Sequence, residues 1–157
     1  MNVGSLCSRR VASVPESASL RDVARLMRSE QVGAVVVVRG ATGAQVVGII
    51  TDRDIVRTQL QRAADLASIG AGEAMTPDPL CFEEQEPIDG AIAHLRARGV
   101  RRAPVLAANG TLVGLISTDD LLVHLATTLI GSAGIVARQV RHERERAAGT
   151  PTARSGA

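Results

Sequence analysis

Apolar residues recur at helical spacing in two places. Leu20, Val23, Ala24 and Met27 fall at i, i+3, i+4 and i+7, and so do Ile88, Ala91, Ile92 and Leu95. Each set predicts the apolar stripe of an amphipathic helix. Each helix runs into a β-rich segment, "VGAVVVV" and then "RAPVL", followed by a turn and a second apolar run. In the later copy the turn is "AANGT", where Asn109-Gly110 signals a two-residue hairpin loop. In the earlier copy it is the longer "RGATGAQ". After the second strand a Thr/Ser-xx-Asp element opens another helix, expected over Asp52 to about Asp65 and from Thr118 onward.

The chain is therefore a repeat of helix, strand, strand, helix, each copy preceded by an extended entry segment, "LCSRRVASV" and "AMTPDPLCF". "SLRDVARLMRSEQVGAVVVV" aligns with "PIDGAIAHLRARGVRRAPVL" at an offset of 68, and "VVGIITDRDIV" with "LVGLISTDDLL" at 66. The longer first turn absorbs the difference. The Gly-rich "SIGAGEAMTPDP" marks a boundary near residues 68 to 72. One unit of about 60 residues buries too little surface to be stable alone. Two packed face to face about a pseudo-twofold axis solve that, giving an α/β fold of α+β repeats. The expected divisions are 1–68, 69–128 and a C-terminal helix with a disordered tail at 129–157.

The tail changes character. "LLVHLATTLIGSAGIVA" is nearly all apolar, and its seventeen residues, interrupted by His124, fall at the bottom edge of a membrane span. The expectation is a core-docking or dimer-interface helix, with no membrane span. The charged "RQVRHERERAAG" reads as a mixed-sign helix end, and "TPTARSGA" as disordered.

Composition narrows the function. There is one Phe and no Tyr or Trp, so aromatic stacking on nucleic-acid bases is almost unavailable. The net charge is +2 and all 18 basic residues are Arg, a side chain suited to bidentate phosphate contact. No nucleic-acid partner is expected. Cys7 and Cys81 lack CxxC spacing and read as free thiols of a reducing compartment. With no signal-peptide core at the N-terminus, the expected location is cytoplasmic. His94, His124 and His142 are scattered, so no metal site is expected. No residue carries the marks of a catalytic nucleophile.

The Thr/Ser-xx-Asp element has two readings. Thr51 with Asp54, and Ser117 with Asp120, match a capping box with Asp in place of Glu. Such a cap is worth ~1 kcal/mol. But each element also follows a Gly (Gly48, Gly114) and a strand, at a helix N-terminus where a phosphate is favoured. The Gly would keep the backbone open to a ligand. The hydroxyl could meet a phosphate, and the carboxylate a ribose.

Two such units, each ending in Gly, two apolar residues, Thr or Ser and an Asp three places on, resemble a tandem pair of cystathionine β-synthase (CBS) domains over about residues 3 to 128. The resemblance implies a disc-like module with two clefts for adenosine-containing ligands: AMP, ADP, ATP, NAD or S-adenosylmethionine. It assigns the ribose to Asp54 and Asp120 and phosphate to Thr51 and Ser117. Adenine contacts fall by position on Ser8, Val11 and Ala12, and on Thr76, Pro77 and Leu80. Arg101 and Arg102 align with Gly33 and Ala34, so the two clefts are expected to differ. These arginines, with Arg53, are phosphate candidates; the alternative is a solvated edge strand. Together these features imply a non-catalytic sensor without catalytic cofactor, acting on an unidentified protein partner. A homodimer is expected, with Leu20 to Met27 and Leu121 to Ala137 as its interface. The competing reading is a structural module with empty clefts.

Overall fold

A computed structural model describes residues 1–40 and 45–148. Most of the first hairpin turn and the "TPTARSGA" tail thus lie outside the described residues. Two compact units are distinguished, Met1–Asp120 and the part from Leu121 onward.

The first unit holds both repeats. In the first, β1 (Ser13–Pro15) leads to α1 (Leu20–Glu30), β2 (Ala34–Arg39), β3 (Gln45–Thr51) and α2 (Asp52–Arg62). A short helix, α3 (Ala71–Ala74), precedes β4 (Thr76–Pro77) and β5 (Phe82–Glu83). The second repeat continues with α4 (Ile88–Arg98), β6 (Arg102–Leu106), β7 (Leu112–Ser117) and α5 (Thr118–Ala148).

The helix boundaries follow from caps. Ser19 Oγ accepts from the Asp22 amide at 3.2 Å and starts α1. Gln31 and Ala63, both in the left-handed conformation, end α1 and α2. α2 thus stops at Arg62, short of the expected Asp65, which instead caps a 3₁₀ turn at Leu66–Ser68. The second hairpin also departs from expectation. Ala107 N donates to Thr111 O at 2.9 Å, so the loop has three residues, Ala108, Asn109 and Gly110, with Gly110 at φ +80°. That is a turn closed by a left-handed Gly, the next most common hairpin loop.

The sheets contain an exchange that local pattern does not announce. β1 pairs in parallel with β2, β2 antiparallel with β3, and β3 antiparallel with β4, the entry strand of the second repeat. Reciprocally, β5, β6 and β7 form a sheet, and Ser8 of the first entry segment pairs with Leu115 on β7. Each repeat lends the first part of its entry segment to the other. The glycines sit at these crossings. A Cβ on Gly48 would collide with the Met75 side chain, and one on Gly114 would lie 2.5 Å from Cys7 Sγ. Their missing side chains thus admit the exchanged segments.

The core of the first repeat is aliphatic, while the aromatic Phe82 is buried in the second. Leu20, Val23 and Met27 pack with Val35, Val37 and Ile50, and with Ile69, Ala71 and Ala74 from the expected linker. The Gly-rich boundary is therefore core as well as connection. Burial also removes Leu20 to Met27 from the expected dimer interface, because that stripe faces its own sheet. In α4, Ala91 and Leu95 are buried but Ile92 is exposed, so the second stripe is narrower than its periodicity implied.

Helix α5 runs unbroken through residue 128, where a domain limit was expected. Leu122, Val123, Leu125, Leu129, Ile130, Ile135, Val136 and Val140 are all exposed, so these side chains do not belong to the core. Thr118–Arg146 is long and apolar enough to cross a membrane by length and composition.

Candidate functional site

Both Thr/Ser-xx-Asp elements form at a strand end. Thr51 closes β3 in extended backbone and caps α2. Its hydroxyl accepts from Asp54 N at 3.4 Å and donates to Asp54 Oδ2 at 2.7 Å. Oδ2 also accepts from Thr51 N at 2.9 Å, completing a capping box. The second element repeats this geometry. Ser117 Oγ donates to Asp120 Oδ2 at 2.6 Å, Ser117 N donates to the same oxygen at 2.8 Å, and Asp120 N donates to Ser117 Oγ at 3.3 Å. The hydroxyl proton is thus committed to the carboxylate in both motifs.

The remaining oxygens differ. Asp54 Oδ1 accepts from Arg57 Nη2 at 2.9 Å, whereas Asp120 Oδ1 has no partner among the described residues. Asp54 is buried and Asp120 half-buried.

The first amides of α2 are also engaged. Asp52 N donates to Gly33 O at 3.3 Å, Arg53 N to Asp52 Oδ1 at 2.8 Å, and Asp54 N to the Thr51 hydroxyl. A helix N-terminus attracts anions through amides that lack partners. Here they have partners, so positive charge for an anion must come from side chains.

Those side chains are present. A cleft of about 290 Å³ brings Thr51, Asp52, Arg53 and Asp54 of the first repeat against Thr76, Arg101 and Arg102 of the second, with Ile49, Gly99 and Val100 completing the wall. Three arginines and two aspartates line it. Arg102 crosses toward the first repeat: a Cβ on Gly33 would sit 3.5 Å from its Nη1 and 3.6 Å from Asp52 Oδ2. The cleft therefore joins most of the phosphate candidates, Thr51, Arg53, Arg101 and Arg102, with the ribose candidate Asp54.

The adenine candidates divide. Thr76 lines this cleft and pairs across Ile49, while Pro77 pairs with Gly48. Ser8 occupies the equivalent place beside the second motif, exchanging backbone hydrogen bonds of 2.9 and 3.0 Å with Leu115. Beside it, burial raises the Cys7 thiol above its usual range, Arg9 opposing. Ala12 packs on the first repeat's core, and Val11 and Leu80 are half-buried outside the cleft lining. The ligand candidates expected from sequence included neither Asp52 nor Arg57. The three-residue step from Asp54 to Arg57 on one helix face was the available signal.

The CBS domain family model matches residues 3–60 and 71–127. An uncharacterised protein from Methanopyrus kandleri is 27% identical over 122 residues, 78% of this chain and 61% of that one. The chain thus spans less than two thirds of that relative's length. A CBS domain-containing protein from Bacillus subtilis is 25% identical over 142 residues, 90% of this chain and 96% of that one. Among solved structures, a CBS domain protein from Pyrobaculum aerophilum complexed with AMP superposes with a TM-score of 0.70 at 29% identity, covering 81% of this chain and 99% of that one.

Proposed function

The chain belongs to the CBS domain family, and from that premise we propose that it is a non-catalytic sensor of adenosine-containing ligands. The observation that carries this reading is the cleft in which Thr51, Arg53 and Asp54 meet Arg101 and Arg102 from the other repeat. A nucleotide there has its ribose hydroxyls on Asp54 and its phosphates on the arginines. The AMP complex of the Pyrobaculum relative supports the ligand class. AMP, ADP, ATP, NAD and S-adenosylmethionine share the adenosine. The three guanidinium groups favour the multiply charged members.

A ligand touching both repeats shifts whatever equilibrium exists between their arrangements by its differential affinity for them. Occupancy is thereby passed to a protein partner. We assign residues 1–68 and 69–128 to the two repeats and 129–157 to an extension. The protein is read as a cytoplasmic homodimer with the exposed apolar side chains of α5 in its interface.

A second reading has its own support: in both motifs the hydroxyl and the carboxylate satisfy each other as a helix cap. On that reading the fold is a structural module and the motifs only start helices. Titration calorimetry on ligand-stripped protein with AMP, ATP, NAD and S-adenosylmethionine separates the two. The sensor reading expects binding that Asp54→Ala weakens by about tenfold, the loss of hydrogen bonds to a charged acceptor. It also expects Arg101→Ala with Arg102→Ala to weaken ATP by about tenfold or more while adenosine changes little. Indifference to every adenylate at millimolar concentration leaves the structural module standing.

A further inference from the structure

Asp54 offers a ligand only one oxygen, and that oxygen is taken. Oδ2 holds the Thr51 amide and hydroxyl at 2.9 and 2.7 Å, while Oδ1 holds Arg57 Nη2 at 2.9 Å. The Asp54 side chain is 11% exposed and that of Arg57 59% exposed, so the pair joins a buried acceptor to a solvated donor. In the second motif the corresponding position is Val123, which cannot donate, and Asp120 Oδ1 has no partner among the described residues.

We infer that Arg57 is a specificity-determining residue of the first cleft, a built-in competitor for the oxygen that ribose would use. The inference rests on Asp54 as the ribose acceptor. On binding, an N–H bond from Arg57 gives way to an O–H bond from the sugar, and the guanidinium returns to water. Its exposure makes that exchange cheap. A pair of this kind changes an equilibrium by a factor of roughly two to five. The cleft at Asp54 therefore gains less from a ribose hydroxyl than it would with a free carboxylate oxygen, and relies more on phosphate contact with Arg101 and Arg102.

The test compares ATP with 2′,3′-dideoxy-ATP, because a lost positive charge affects both equally and cancels in the ratio of their affinities. Full-length Asp120→Ala protein reports the first cleft, with and without Arg57→Met. The preference for ATP over its dideoxy analogue should rise about two- to five-fold in the Arg57→Met protein. Side-chain NMR of the Arg57 guanidinium should shift with ATP but much less with the dideoxy analogue. An unchanged or smaller preference, with equal shifts from both nucleotides, overturns the role of Arg57 and leaves the sensor intact. Failure of the parent protein to bind ATP at all overturns both, and removes Asp54 as a ribose acceptor.

Discussion

A methyl group at position 114 would stand 2.5 Å from Cys7 Sγ and 3.1 Å from the Ser8 carbonyl oxygen. The second neighbour is backbone and cannot swing aside. Gly114→Ala should therefore cost about 1–3 kcal/mol, as overpacking generally does, measured by urea denaturation. Gly48→Ala meets Met75 Cγ at 2.7 Å and Cβ at 2.9 Å and should cost a similar amount. Gly131, inside α5 with nothing within 4 Å, is the control: Ala there should stabilise by up to about 1 kcal/mol through helix propensity. At this scale the motif residues were legible because hydroxyl and acid lie three apart in one stretch of chain. The purpose of the glycines was not, since Cys7 and Met75 lie 107 and 27 residues away from them. For the same reason the sequence marked Arg101 and Arg102 as basic without revealing that they face Thr51 and Asp54 of the other repeat.

Ion pairs tie elements of the first repeat to one another and to α3. Glu16, after β1, takes a two-pronged contact from Arg39 at the end of β2, at 2.8 and 2.7 Å. Arg62 at the end of α2 reaches Glu73 in α3 at 2.7 Å, and Arg21 in α1 reaches Asp65 at 2.8 Å. Arg39 holds the Glu16 carboxyl below its usual range, as Arg62 does for Glu73. The Ala67 amide, then Arg21, lowers Asp65. A carboxyl lowered on folding lends stability that is complete above its unfolded value and fades as pH falls through the folded one. Stability should thus hold from neutrality to about pH 5 and decline below the ordinary carboxylate values near 4. All three pairs are exposed, so added salt should flatten the decline. A profile with no acid limb, or one indifferent to salt, would show that the pairs add nothing. α1 and α4 were readable from their periodicity, and α2 and α5 from the Thr/Ser-xx-Asp element that opens each. α3 was not, because four residues of "AGEA" are too few to show a period, and Gly72 within them suggests a loop.

At the level of the molecule, the cleft exists only because the two repeats interlock. Its walls come from β3 and α2 on one side, and from β4 and the start of β6 on the other. On the proposed function, a ligand there would read the relative placement of two covalently joined halves, the geometry that linkage needs. The architecture was legible as a tandem repeat because each copy is locally self-consistent. The exchange between copies was not, because β-pairing across more than a hundred residues leaves no mark in local pattern.

The exchanged entry segments mean that neither half is complete by itself. Residues 1–68 made as a separate peptide would carry β3 with its outer edge bare, and a Ser8 segment with no β7 to lie on. Two such peptides can answer each other's need, so sedimentation should find them as a concentration-dependent couple; a stable solitary peptide would contradict the interlock. The intact chain is that couple with a leash between its members. The leash replaces a bimolecular encounter with a fixed local concentration in the millimolar range, so dilution has no purchase on the pairing.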